Sequence, residues 1–425
     1  LFNLASEDMI GTTMIEIQGL ICTSGGSPVA VETRTSSRGE GGLTEVYLSP
    51  DLPEPIAIDR LELSYRIDEP VVGCFKNGFQ SWSTSREHSP HEHDSLLAPA
   101  ARLVKLHRFG DDHFLRRSLE ECSRRPGLFV SHTYTYLRVS PETIIFLGSL
   151  DESSGYSLFS VDLQERRLIV SKDAEGGHFR GGEILLSLFI RRGTEGECFP
   201  EYWTAAAERR GGTPDRRPRG PAYSGGSSVE GPLPRDLLLT GWTSWYNYYT
   251  KIDEETLLRN IEALEKSGAP LDYFQIDDGY QEAVGDWLRI KDGFPRGMKP
   301  LVDRARRAGF SPGLWLAPFV CEGRCALARE HPEWILTDPR GRRVPAGWNP
   351  GWSGTFYALD TDNREFRSHL RDVFETVFDD WGFDMVKLDF LYAAGMIPRN
   401  GKTRGRLMYE AMEFLRSCAG EKTIL

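Results

Sequence analysis

The chain predicts a multidomain β and α/β protein, an N-terminal β-sandwich followed by an incomplete (β/α)8 TIM barrel. Three observations lead there. Residues 1 to about 200 hold many short apolar or alternating β-branched runs, cut by Gly, Ser, Pro and Asp clusters, as in a sandwich. From Leu237 strand-like runs alternate with helix-like ones, and repeated βα units imply a parallel sheet covered by helices. Polar and aromatic residues follow the C-terminal ends of those strands: Trp242 and Trp245, Asp277 and Asp278, Trp315, and Asp389. Several strand ends converging on one site fits a barrel, whereas an open sheet gathers its ligand groups at one switch point.

In the first domain, residues 1–210, the expected strands are "TMIEIQGL", "LTEVYLS", "LFVSHTYTYLRV", "TIIFLGSL", "SLFSVDL", "RLIVSK" and "EILLSLFIRRG". A short helix, "FPEYWTAAAERR", closes it. Residues 211–236 are rich in Gly, Pro, Ser and Arg with no apolar period, and read as a linker. The barrel part, 237–425, carries strands in "LLLTGWTSW", "LDYFQIDD", "SPGLWLAPF", "DMVKLDFLY" and "KTIL". Its first helix has Asp253 as N-cap, an Ile252–Leu257 staple, a stripe of Leu257, Leu258, Ile261 and Leu264, and Gly268 as its stop. A second helix spans about Lys299 to Ala308, ended by Gly309. A third spans about Arg364 to Trp381, ended by Gly382, with Phe366, Leu370, Val373, Phe374, Val377, Phe378 and Trp381 as its stripe.

Composition narrows the class. A length of 425 residues suggests two or more domains, and 40% hydrophobic residues supply a core. The net charge of −11 argues against nucleic acid and anionic membranes as partners. No apolar run reaches transmembrane length, and residues 1–20 lack the basic start and apolar core of a signal peptide. Seven scattered cysteines fit a reducing compartment, so a cytoplasmic location is expected. A start at Leu1 and a stop at "EKTIL" suggest a fragment of a longer protein.

The segment "DMVKLDFLYAAG" is the most informative. It reads as a short buried strand, Met385 to Phe390, with Lys387 and Asp389 two apart and so on one face. Two buried charges are costly unless paired, and a lysine beside a carboxylate keeps it ionised, as a carboxylate nucleophile needs. A structural ion pair is the plainer alternative. Asp277 and Asp278 end the second barrel strand, and adjacent side chains point apart. They suit the reading of neighbouring sugar hydroxyls better than a shared proton; helix capping is the plainer role. Trp242, Trp245, Tyr246, Trp287, Trp315, Trp348 and Trp352 offer flat faces for pyranose rings, although some must be ordinary core, Trp287 and Trp352 foremost. Cys321, Cys325 and His331 lack a convincing second half for a metal site, and "HSPHEHD", His88 to Asp94, reads as a solvated loop. No phosphate-loop or dinucleotide fingerprint appears.

The ordered set "GWTSWYNYY", "QIDDGYQEAVGDWL", "GLWLAPF", "HPEW", "YALD" and "VKLDFLYAAG" resembles the retaining α-galactosidases of glycoside hydrolase family 36. "KNGFQSWS" resembles the loop by which that family's sandwich reaches over its barrel, so the likeness covers most of residues 70–425. The resemblance implies that Asp389 is the nucleophile, that Lys387 hydrogen-bonds the sugar, and that Asp277 and Asp278 bind the galactose 4- and 6-hydroxyls. It implies that Trp315 walls the pocket and that Trp82 closes it from the sandwich. Trp245 and Tyr246 join the expected substrate contacts. The family uses no metal or cofactor, takes α-galactoside oligosaccharides, and often assembles, which makes a homo-oligomer an expectation.

One departure matters. The family's general acid/base lies beyond the fifth barrel strand, where this sequence stops, so no residue here is given that role and the chain alone is expected to be inactive. Three alternatives stay open: transfer of galactose to another sugar, as in raffinose-synthase-like enzymes; a non-catalytic sugar-binding barrel; and a sugar-phosphate barrel enzyme.

Overall fold

The structure, a computed structural model, describes residues 15–38, 41–49, 51–79, 83–94, 125–209 and 239–420. The linker expected at 211–236, the strand expected in "KTIL" and Trp82 lie outside the described residues. The chain divides into two compact units. One is Leu1–Arg216 with Ile397–Tyr409, and the other is Arg217–Met396 with Glu410–Leu425.

The first unit is built on two antiparallel sheets. The six-stranded sheet runs Ser27–Pro28, Ile15–Ser24, Arg60–Ile67, Arg167–Lys172, Ser157–Asp162, Leu128–His132. The seven-stranded sheet runs Val31–Arg38, Gly41–Leu48, Ile184–Gly193, Ile144–Ser149, Tyr134–Arg138, Gly73–Lys76, Arg86–His88. The period of two explains the packing. Along Arg60–Ile67, Leu61, Leu63, Tyr65 and Ile67 are buried while Arg60 and Arg66 are exposed. They share one core with Phe129, Phe159 and Val170 of the same sheet and Val46, Leu147 and Leu188 of the other. Each such side chain contributes roughly 1.5–3 kcal/mol by leaving water.

The run "LFVSHTYTYLRV" is two strands rather than one. Thr133 breaks it at φ 63, and Leu128–His132 and Tyr134–Arg138 belong to different sheets. A β-branched residue at positive φ is uncommon, so nothing in the local pattern announces this corner. The helix also begins earlier than its proline suggests, at Glu195 rather than Phe199, and runs to Arg209. Thr194 marks the start: the Glu197 carboxylate accepts from its N–H at 2.8 Å and its hydroxyl at 2.9 Å, half of a capping box. Cys198, Tyr202 and Ala205 cover Tyr136, Ile144, Phe146 and Phe189 on the outer face of the seven-stranded sheet. The stretch expected as a solvated loop instead buries His88 and Asp94. The His88 ring packs on Phe129 and Asp94 pairs with Lys76.

In the second unit four strands form a parallel sheet in chain order: Gly241–Thr243, Tyr273–Ile276, Ser311–Leu316 and Met385–Leu388. The first connecting helix, Glu254–Ser267, follows its sequence signals. The Asp253 side chain accepts from Thr256 N–H at 2.7 Å, and Gly268 ends the helix at φ 64. Leu257 and Ile261 are fully buried; Leu258 and Leu264 are partly so. Lys299–Arg307 is the second helix, with Gly309 at φ 90 just beyond. The third runs Arg364–Glu375, then widens into a π-turn over Thr376–Asp380 before Gly382 at φ 84. Several elements were not read from the sequence, among them the helix Ala326–Glu330 and a small antiparallel sheet of Val320–Glu322, Gly354–Ala358 and Pro345–Asn349, inserted between the third strand and its helix.

Candidate active site

Register fixes which side chains meet. Gln275 pairs with Gly313 and Gly313 with Met385, while Trp315 pairs with Lys387. With a period of two, Gln275, Asp277, Trp315, Lys387 and Asp389 all fall on one face at the strand ends.

Asp277 is 2% exposed and heavily bonded. Its Oδ2 accepts from Lys387 Nζ at 2.8 Å, from Gln275 Nε2 at 2.8 Å and from Thr243 Oγ1 at 3.3 Å. Its N–H donates to Ser244 Oγ at 2.9 Å, so the end of the first strand holds the end of the second. The ion pair expected from the sequence, Lys387 with Asp389, is therefore not the one formed: Lys387 gives its ammonium to Asp277. Two residues apart on one strand, Lys387 and Asp389 share a face, but the second strand, two places across the sheet, ends in a buried carboxylate 2.8 Å from the lysine. Nor is this strand buried throughout. It ends at Leu388, and only Val386 is fully covered.

Asp278, also 2% exposed, points elsewhere, as adjacent residues must. Its Oδ1 accepts from Gln281 Nε2 at 2.6 Å and its Oδ2 from Trp352 Nε1 at 2.7 Å. Burial pushes its carboxyl above the usual carboxylate range, opposed by those two hydrogen bonds and the charge of Lys291. Gly279 turns the chain away at φ 121; a Cβ there would meet the Thr250 backbone at 2.7 Å.

Asp389 is half-buried. Its Oδ2 accepts from Trp315 Nε1 at 3.2 Å and its Oδ1 from Phe390 N–H at 2.9 Å. Its own N–H donates to Leu316 O at 2.9 Å, extending the pairing of the third and fourth strands. Phe390 then adopts φ 54, ψ 30, a left-handed conformation uncommon for an aromatic residue. The chain leaves the strand abruptly there and the carboxylate stands at its end.

Trp315 is 2% exposed and packs edge-on against Trp287 and Trp352. The other aromatic candidates divide. Trp287, 1% exposed, is core behind Trp315. Trp242 stacks on Phe274 at 4.5 Å. Trp245 makes its ring contact with Tyr249, Tyr246 is 82% exposed, and neither is hydrogen-bonded to the carboxylates. Sequence reasoning passed over Gln275 and Gln281, whose signal was closeness in sequence to the two aspartates, and Ser244, whose signal was its place between Trp242 and Trp245 at the end of the first strand. His331 stacks on Trp334 at 3.8 Å, and among the described residues no three His, Cys, Asp or Glu side chains gather as a metal site. No described helix is long and apolar enough to cross a membrane.

The site thus offers three carboxylates, one lysine and an aromatic wall at the C-terminal ends of parallel strands, suited to a ligand rich in hydroxyls. Comparison with known proteins agrees. The melibiase family model matches residues 233–408. An α-galactosidase of Lactobacillus acidophilus is 26% identical over 162 residues, 36% of this chain and 20% of that protein. An α-galactosidase of Escherichia coli is 28% identical over 184 residues, 41% and 25% respectively. These matches span well under two thirds of the curated relatives' length. The α-galactosidase of Thermus thermophilus in complex with p-nitrophenyl α-D-galactopyranoside superimposes with a TM-score of 0.62 at 30% identity, over 92% of this chain and 70% of that one. Its complex with stachyose gives a TM-score of 0.64 at 29% identity, over 96% and 74%.

Proposed function

This chain belongs to the melibiase family, the α-galactosidases of glycoside hydrolase family 36, and we propose that the protein it forms releases terminal α-D-galactosyl residues with retention of configuration. The observation that carries this reading is the placement of Asp389. Its carboxylate ends the fourth strand on the face that also holds Trp315, Lys387 and Asp277.

In the proposed reaction an Asp389 oxygen attacks the anomeric carbon as the glycosidic C–O bond breaks, giving a β-galactosyl ester. A water then attacks that carbon and releases the carboxylate. A second carboxyl group, about 5–5.5 Å away in retaining enzymes, protonates the leaving oxygen and later deprotonates the water. None of the described carboxylates is assigned that role. Asp277 and Asp278 bind instead: Asp277 is held by Lys387, and Asp278 keeps one free lone pair on each oxygen for sugar hydroxyls. Stachyose and p-nitrophenyl α-galactoside on the Thermus protein support α-galactosides as substrates. The scattered cysteines support a cytoplasmic setting.

The test is Asp389→Gly in the full-length protein. Turnover of p-nitrophenyl α-galactoside should fall by roughly 10³-fold or more. Azide should restore it and yield the β-galactosyl azide. Near-normal hydrolysis without azide rejects the assignment.

A further inference from the structure

Trp352 sits where a large aromatic residue is out of place. It lies in the turn of the inserted hairpin, between strands Pro345–Asn349 and Gly354–Ala358, with exposed Gly351 and Ser353 on either side. The turn is shaped from within: Asn349 Oδ1 accepts Gly351 N–H at 2.9 Å and Asn349 O accepts Trp352 N–H at 3.2 Å. The result aims the indole inward. Its ring packs on Phe356 at 4.8 Å, Phe390 at 5.2 Å and Trp315 at 6.3 Å. Two of those three adjoin the Asp389 carboxylate, one by donating to it and one by following it in the chain. Its N–H ends on Asp278, 74 residues away.

We propose that Trp352 is a positioning residue for Asp278, so that the 345–358 hairpin completes the galactose-binding wall by fixing the carboxylate that reads the sugar's hydroxyls. This deepens the reading of Asp278 as a hydroxyl ligand and rests on it. A carboxylate offers about four acceptor sites. Gln281 takes one on Oδ1 and Trp352 one on Oδ2, which fixes the plane of the group and leaves one site per oxygen for ligand. Without the indole N–H, one oxygen of a buried carboxylate has no protein donor and the group is free to turn. The charged and titratable neighbours facing Asp278 are Asp277, which disfavours its charge, Lys291, which favours it, and the buried Tyr280 phenol. Asp277 has no proton to give, and the Tyr280 hydroxyl, although a donor, makes no hydrogen bond to Asp278 in this arrangement, so the carboxyl's affinity for protons should rise.

The experiment uses the full-length protein with galactose as probe. Trp352→Phe keeps a ring and removes the N–H. A benzothiophene analogue of tryptophan at position 352 replaces only the N–H with sulfur, and serves if the phenylalanine variant folds poorly. Either should weaken galactose binding roughly 10-fold or more at pH 7, because the carboxylate is no longer held in the plane that meets the sugar's hydroxyls and a charge-assisted hydrogen bond to the ligand is lost. Either should also move the acid limb of binding, and the ¹³C titration midpoint of the Asp278 carboxyl, to higher pH. An unmoved Asp278 midpoint overturns the inference whatever happens to affinity. Failure of the wild-type protein to bind galactose overturns the hydroxyl-reading role itself; the carboxyl titration, which needs no ligand, still decides the positioning role.

Discussion

In the sandwich unit Lys76 lies buried against Asp94, its Nζ 2.7 and 2.9 Å from the two carboxylate oxygens; at the strand ends of the barrel Asp278, equally buried, meets only the neutral donors of Gln281 and Trp352. The contrast extends to neighbours. Buried Arg404 is bonded to Asp173, and buried Lys172 lies in the fields of Glu152, Asp151 and Asp173. Near Trp315, among the described residues, one of the three carboxylates, Asp277, has an ammonium within hydrogen-bond reach, that of Lys387. Buried charge in the first region is balanced by the fold. In the second the balance is left unfinished, at a cost in stability that a ligand's hydroxyls can offset. The same residue type thus serves as an anchor at Asp94 and, in the proposed reading, as a binding group at Asp278, which unlike Asp94 has no cation hydrogen-bonded to it among the described residues.

Removing a cation from the balanced region should have the largest effect on stability. Lys76→Met leaves Asp94 buried without its counter-ion and should cost about 3–5 kcal/mol, read by chemical denaturation. Lys76→Met with Asp94→Leu should recover most of that loss, since both charges are then gone. A loss under 1 kcal/mol in the single variant would mean that water reaches Asp94, and the contrast would collapse.

Removing a carboxylate from the unfinished region should act in the opposite direction. Burial holds the folded Asp278 carboxyl above its unfolded value. Its stabilising contribution is therefore complete below the unfolded pKa and is lost as pH rises through the folded one. Asp278→Asn escapes that loss, and Gln281 can turn its amide to meet the new one. The variant should melt higher than wild type at pH 7, with the gap closing toward pH 4, while galactose binding weakens. A lower melting temperature at pH 7 would place Asp278 with the structural anchors.

These two regions were unequally legible in the sequence. Sandwich strands such as Gly41–Leu48 and Ile144–Ser149, and the barrel helix capped by Asp253 and Gly268, followed from local periodicity and capping signals, whereas Arg60–Ile67, which alternates as plainly, was passed over. So did the position of Asp277, Asp278, Trp315 and Asp389 at strand ends, because alternation and βα repetition are local patterns. Partner choice was not local. Lys387 and Asp389 share a face, yet the lysine's partner comes from a strand 110 residues earlier. Trp352 stood among the sugar-packing candidates with core as its plainer role, because nothing in "NPGWSG" says that the turn aims its indole at Asp278. Thr133 concealed a change of sheet for a similar reason: a positive φ at a β-branched residue is imposed by tertiary packing.

The smallest expected effect is at an exposed carboxylate, and it checks the sign of the Asp278 argument. Asp253 caps the helix Glu254–Ser267 and accepts from Thr256 N–H at 2.7 Å. Hydrogen bonds from Thr256, side chain first and backbone second, hold its carboxyl below the usual value. Its contribution is present above the unfolded pKa, about 3.9, and is lost as pH falls through the folded one. Asp253→Ala should therefore cost about 1 kcal/mol at pH 7, the usual worth of such a cap. The gap between variant and wild type should shrink as pH drops below about 4. Asp253→Asn, which keeps the acceptor and drops the charge, should lose only part of that stability and most of its pH dependence. One pH series on Asp253→Ala and Asp278→Asn then shows two aspartates of one unit with effects of opposite sign. The exposed one is stabilised by ionising and the buried one is not. If both variants lose stability at pH 7 and converge with wild type at low pH, Asp278 is an ordinary bonded carboxylate, and the unfinished balance at the strand ends is not what sets this region apart.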